Sequence, residues 1–173
     1  MALFYHLDRM NSLKENHILS LTQYTDIQPV ELQIHVNEMF PEGVSTHGEK
    51  YFLKDISTPM MASPNIEIFF EYVRRAFYPN RPSRFQSYFA FEQADDAMVF
   101  LNRFPNNPGV TSSLWEIEAE SFFKADMNLL TQQNSILVFS YLANKYWRGE
   151  TINNSPNWEV LLSPPIRIIR RIE

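Results

Sequence analysis

The sequence predicts a single α+β domain, and three observations carry the prediction. Segments with a two-residue apolar period alternate along the chain with segments of helical period. Apolar residues make up 45% of the 173 positions, enough to bury one continuous core. No periodic repeat or low-complexity stretch interrupts the pattern, which argues against a solenoid.

The elements follow in order. Residues 1–8 read as a strand, because Leu3, Tyr5 and Leu7 alternate with Phe4, His6 and Asp8 and no Gly or Pro intervenes. Asn11 is placed to cap a helix reaching about Leu21, with Leu13, Ile18 and Leu21 on one face. Residues 27–40 fit two periods: Leu32, Ile34 and Val36 alternate as in a strand, and the composition also permits a helix. Residues 41–64 hold two glycines and three prolines and read as a long loop, of the kind that covers a site. Ser63-Pro64 then starts a helix carrying Ile66, Phe69, Phe70, Val73 and Phe77, ended by Pro79 and Pro82. A strand over 85–91 and a helix over 93–104 repeat the unit, followed by a turn at 105–109 and a third strand over 111–119. Residues 121–130 are mixed, 135–147 form a helix, and 148–157 form a polar loop. Residues 158–172 close as two strands around Ser163-Pro164-Pro165.

Composition narrows the chemistry. The absence of cysteine excludes disulfides, thiol catalysis and thiolate metal sites, and makes the cytoplasm the expected location. Neither a signal peptide nor an apolar run of membrane-spanning length is apparent, so no membrane association is expected. Four histidines show no metal-ligand spacing, and four glycines form no phosphate-binding loop, so neither a metal nor a P-loop or Rossmann site is expected. Glu116, Glu118 and Glu120 share one strand face and read as solvated. The net charge of -5 argues against nonspecific capture of nucleic acid or anionic lipid. Basic clusters nevertheless occur at Arg74-Arg75, at Arg81 with Arg84, and at Arg167, Arg170 and Arg171.

Three short segments, taken together, resemble the ADP-ribosyltransferase superfamily, in particular the branch with His, Tyr and Glu on three separate strands. Leu3-Phe4-Tyr5-His6-Leu7 looks like its opening strand, with Leu7 where relatives usually carry Gly. Ser87-Tyr88-Phe89-Ala90 resembles its Tyr-Phe-Ala strand, with Ala97 in the helix that follows. Trp158-Glu159-Val160-Leu161-Leu162-Ser163-Pro164 is similar to its final Glu-Val-Leu-Leu-Pro strand. The resemblance extends to small bacterial proteins that act as toxins or phage-defence effectors. It implies an ADP-ribosyltransferase-like domain spanning 1–173, with a split, mostly antiparallel sheet around an NAD cleft. NAD is then a substrate.

The residue types suit that chemistry. Breaking the nicotinamide–ribose bond generates an oxocarbenium-like sugar, and Glu159 would stabilise its charge and hold a ribose hydroxyl. His6 would bond a ribose hydroxyl while the main chain of Leu7 contacts the nicotinamide amide. Either Ser87 or Tyr88 supplies the nicotinamide contact, Tyr88 by stacking. Arg9 and Arg84 match the pyrophosphate. Asn157, two residues before the glutamate, stands where arginine-modifying members carry Glu or Gln, which argues against arginine as acceptor.

The expected activity is mono-ADP-ribosylation of a macromolecule through Trp147, Arg148 and Asn157. The basic clusters and flanking tryptophans favour RNA or DNA over protein, RNA first. A toxin of this kind implies an antitoxin or inhibitor protein as partner. The alternative is a catalytically inert module that binds a nucleotide or protein on the same fold.

Overall fold

The computed structural model describes residues 1–54, 64–104, 111–131 and 135–172. The turn expected at 105–109 and the helix-starting Ser63 lie outside these residues. Seven strands are described: β1 (Ala2–Asp8), β2 (Ile18–Leu19), β3 (Tyr88–Ala90), β4 (Ser113–Ala119), β5 (Ser121–Asp126), β6 (Trp158–Ser163) and β7 (Ile166–Arg171). They form two sheets, β1-β4-β7-β2 and β3-β6-β5, in which every pairing is antiparallel. Among the described residues one bridge joins the sheets: Tyr5 N–H donates to the Phe91 carbonyl at 2.9 Å, and Phe91 N–H to the Tyr5 carbonyl at 2.8 Å.

Strand alternation gives the second sheet two different faces. Tyr88, Ala90, Val160 and Leu162 point toward the first sheet, where they pack with Ile117 and Ile168. Phe123, Ala125 and Leu161 point the other way, onto the helices α3 (Pro64–Phe77) and α5 (Ile136–Arg148). There Phe70, Tyr146 and Trp147 are fully buried. Each such side chain contributes about 1.5–3 kcal/mol of burial before the entropy of ordering is deducted. Among the described residues no helix is long and apolar enough to cross a membrane.

Local chemistry overrides the sequence pattern in three places and, at residues 27–40, decides between two periods that the pattern leaves open. No helix follows Asn11. The Asp8 carboxylate accepts backbone N–H groups of Met10, Ser12 and Leu13 at 2.9, 2.6 and 2.8 Å, and Asn11 and Asn16 take φ of 50° and 62°, so the chain turns repeatedly. Residues 27–40 resolve as α1 (Val30–Met39), in which Val36 is buried while Leu32 and Ile34 face solvent. The segment expected as a long loop contains α2 (Thr46–Gly48), continued by a π-helical turn over Glu49–Leu53. Its residues 55–63 lie outside the described residues. Finally, the strand expected from residue 85 starts only at Tyr88. Before it, Arg84–Gln86 form a 3₁₀ turn capped by Ser83, whose hydroxyl accepts from Phe85 N–H at 3.2 Å.

The turn over 84–86 is fastened to α2 by backbone proximity. Ser45 N–H and its hydroxyl both donate to the Phe85 carbonyl, at 2.9 and 3.1 Å. A methyl group on Gly48 would lie 2.2 Å from that same carbonyl oxygen and 2.7 Å from the Val44 Cβ. Backbone cannot yield there without breaking the Ser45 bonds. Gly48→Ala is therefore expected to destabilise the fold by about 1–3 kcal/mol, as overpacking does, seen as a lowered thermal midpoint by circular dichroism.

Candidate active site

Glu159 sits on β6 opposite Ala125 of β5, so alternation turns its carboxylate toward the helix-covered face beside Leu161. There it is only 4% exposed. One carboxylate oxygen, Oε1, accepts from Arg84 Nη1 at 2.5 Å and from the Tyr146 hydroxyl at 2.7 Å. Arg84 arrives on the 3₁₀ turn, 3% exposed, and divides its fork. Its Nε and Nη2 donate to the two carboxylate oxygens of Glu67 on α3, at 2.7 and 3.0 Å, and Nη1 also donates to the Tyr146 hydroxyl. The guanidinium lies 4.7 Å from the centre of the Phe89 ring. His47 adds a charge-proximity contact, its Nε2 lying 3.2 Å from Glu67 without hydrogen-bond alignment.

Burial alone would push the Glu67 carboxyl up, but the Arg84 and His47 charges and the Arg84 hydrogen bonds prevail and hold it well below the usual carboxylate range. Burial would likewise discharge Arg84, yet Glu159 and Glu67 keep its pKa raised. Desolvation pushes the Tyr146 phenol well up, Arg84 opposes this, and Glu159 reinforces it. The phenol therefore stays protonated and donates to Glu159.

His6 lies where the two sheets meet. Its Nδ1–H donates to the Phe89 carbonyl at 2.7 Å. Burial lowers its pKa, against the opposing effects of that carbonyl and of Asp8. The ring is thus neutral, with Nε2 as an acceptor. Leu7 is buried with Phe91, Ala97 and Leu114. Arg9 donates to the Phe104 carbonyl, and its guanidinium lies 5.7 Å from the Phe100 ring centre.

The structure separates other expected site residues from Glu159. Register sets Tyr88 opposite Leu162 and Phe89 opposite Leu161, so Tyr88 faces the space between the sheets and Phe89 shares the Glu159 side. The Tyr88 hydroxyl donates to the Ser20 carbonyl at 2.9 Å, and burial pushes the phenol up. Packed in this way, its ring offers no open face for stacking, contrary to expectation. Ser87 is fully buried and donates to the Ser83 carbonyl at 2.7 Å, which occupies its hydroxyl within the turn. Arg84 is turned inward to carboxylates rather than outward to a phosphate.

Of the three expected acceptor contacts, Trp147 requires correction. It is fully buried, with Nε1–H donating to the Phe70 carbonyl at 2.8 Å, and so cannot touch a macromolecule. Arg148 is exposed, and its Nε donates to the Tyr78 hydroxyl at 3.2 Å. Asn157 holds the loop through its main chain: its N–H donates to Asp126 Oδ1 at 2.9 Å, and its carbonyl accepts from Met127 N–H at 2.8 Å. Asp126 also accepts from the Thr151 hydroxyl at 2.6 Å, which makes it the anchor of residues 149–157.

Glu67, Tyr146, Phe89, His47 and Asp126 were not singled out from the sequence. A signal existed for Glu67: it shares the buried stripe of α3 with Ile66, Phe70 and Val73, where a carboxylate demands a partner. Among the described residues the hollows include two of about 270 Å³ each. One is lined by Phe77–Arg81, and the other includes Leu21, Glu42, Arg81 and Pro164; neither is lined by His6, Tyr88 or Glu159. Among the described residues no group of three or more His, Asp or Glu is placed to hold a metal ion. A family model described as "Protein of unknown function (DUF2441)" matches residues 4–173. No curated protein matches the chain.

The network predicts an acid response. A carboxyl whose folded pKa is depressed contributes stability that is present above its unfolded pKa of roughly 4.3 and is lost as pH falls through the folded value. Glu67→Gln leaves Arg84 underpaired and is expected to cost about 3–5 kcal/mol at pH 7. Below roughly pH 4.3 the variant should lose less further stability than the wild type. Urea denaturation at a series of pH values measures both effects, and parallel pH profiles would refute the assignment.

Proposed function

The chain belongs to the DUF2441 family, and we propose that it cleaves NAD and transfers ADP-ribose to a macromolecule, with Glu159 stabilising the transition state. One observation carries this reading. The strands bearing the three motifs are lateral neighbours: β1 with His6 meets β3 at Tyr5–Phe91, and β3 with Tyr88 pairs directly with β6, which bears Glu159. Strands drawn from both ends and the middle of the chain thus lie side by side. Two antiparallel sheets joined at that bridge also support a split-sheet, ADP-ribosyltransferase-like domain.

In the proposed reaction the bond between nicotinamide nitrogen and ribose C1′ breaks, and its electron pair leaves with neutral nicotinamide. A nucleophile of the acceptor adds to C1′ and gives up its proton. The carboxylate of Glu159 favours the positive sugar that forms between these events more than it favours the ground state. His6, with a free acceptor nitrogen at the sheet junction, is proposed to bond a ribose hydroxyl. Arg9 is the remaining candidate for the pyrophosphate.

The acceptor is proposed to be RNA, DNA or protein. The arginine clusters lend little support to nucleic acid, since Arg74 and Arg75 pair with Glu71, Arg167 with Glu118, and Arg170 with Glu116. Action as a toxin or phage-defence effector on cytoplasmic NAD, with an inhibitor protein as partner, belongs to the same proposal. A second reading, an inert nucleotide- or protein-binding module, is favoured by the near-complete burial of Glu159 beside Arg84.

Nicotinamide release from NAD separates the two readings. Wild-type protein should release nicotinamide, and labelled NAD added to lysate should mark one of the separated RNA, DNA or protein fractions. Glu159→Gln, verified as folded, should lower turnover ~100-fold to ~1000-fold with little change in KM, as loss of one preorganised electrostatic contact does. Turnover near the wild-type rate in that variant would remove Glu159 from the chemistry, and no release by the wild type would favour the binding module.

A further inference from the structure

This inference rests on the NAD-cleaving reading of Glu159. We infer that Tyr146, acting with Arg84, is a positioning residue that pins one oxygen of Glu159 so that the other is presented to the reacting ribose. The two oxygens of Glu159 have different surroundings. Oε1 takes both bonds, from Arg84 Nη1 and from the Tyr146 hydroxyl. Among the described residues Oε2 has no hydrogen-bond partner. The Glu159 side chain keeps 5% of its surface exposed, so the carboxylate is not wholly sealed from solvent. A carboxylate held at one oxygen and open at the other is fixed in orientation before a ligand arrives.

Charge sharing keeps the pinned carboxylate useful. Arg84 serves two carboxylates, meeting Glu67 through Nε and Nη2 and Glu159 through Nη1 alone. One guanidinium does not cancel two carboxylates, so Glu67, Arg84 and Glu159 taken together are one negative charge in excess, which the His47 ring beside Glu67 offsets only when protonated. Tyr146 contributes a bond and no charge, since its phenol stays protonated at neutral pH. Its ring packs against Phe70 at 5.3 Å and Trp147 at 4.8 Å, which fixes the direction of the hydroxyl. The sequence gives this tyrosine no motif; its role follows from where α5 places it.

Tyr146→Phe removes the bond to Oε1 and keeps the ring. Nicotinamide release by the variant should show kcat lowered about tenfold with KM for NAD within about twofold, as expected for one lost orienting hydrogen bond. Added to Glu159→Gln, the same change should cost nothing further, because Tyr146 acts through the carboxylate. Wild-type kcat in Tyr146→Phe, with wild-type protein active, overturns the positioning role and leaves the NAD reading standing. An equal loss in both backgrounds, accompanied by a lowered thermal midpoint, overturns it in favour of packing alone. No nicotinamide release by the wild type overturns both.

Discussion

The arrangement of the molecule depends on one buried guanidinium shared by two buried carboxylates. Arg84 reaches Glu67 on α3 and Glu159 on β6, and Tyr146 on α5 joins through its hydroxyl. Moving these charges out of water is costly, and a well-packed apolar replacement of similar volume is often as stable or more so. The network's contribution is therefore mainly geometric. It fixes two helices and a strand relative to a three-residue turn, and removing any one member strands the others without water. The turn is held in the same way, with Ser83 bonded at once to Glu71 and to Phe85 N–H, and Ser87 bonded back to Ser83.

The elements legible in the sequence were those whose burial follows strict periodicity. The strand at the N-terminus, the helices near 64–77, 94–103 and 136–148, and the closing pair of strands carry uninterrupted apolar stripes. The pattern misled where a polar group set the backbone. Asp8 gathers the N–H groups of Met10, Ser12 and Leu13 and, with Asn11 and Asn16 at positive φ, turns the chain where a helix was expected, while at 27–40, where both periods were open, Leu32 and Ile34 lie on an exposed helical surface. The helix within 46–53 was hidden because its anchor, Phe85, is distant in sequence.

The candidate site was legible in part for a related reason. Glu159 stands out through the resemblance of residues 158–164 to a family motif, and its strand pairs with β3, which the Tyr5–Phe91 bridge joins to the strand of His6. The residues that complete its surroundings lie on helices whose apolar stripes mask them. Tyr146 reads as one more aromatic of α5, and Glu67 as one more polar position of α3. Trp147, expected as an acceptor contact because it borders a polar loop, is directed inward by helical spacing beside Phe139 and Ala143. Proximity in sequence to a loop says nothing about which way a helix faces.

A one-residue difference along β3 separates packing from chemistry. Tyr88 and Phe89 are adjacent in sequence, yet strand alternation puts them on opposite faces of the sheet. Tyr88 joins the apolar layer between the sheets and gives its hydroxyl to the main chain of Ser20. Phe89 lies beneath Arg84 and beside the His47 ring, 4.6 Å away, while its carbonyl accepts from His6. It therefore touches both the histidine at the sheet junction and the cation that holds Glu159. The ring itself reaches Arg84 and His47, whereas His6 is met by the main chain of Phe89.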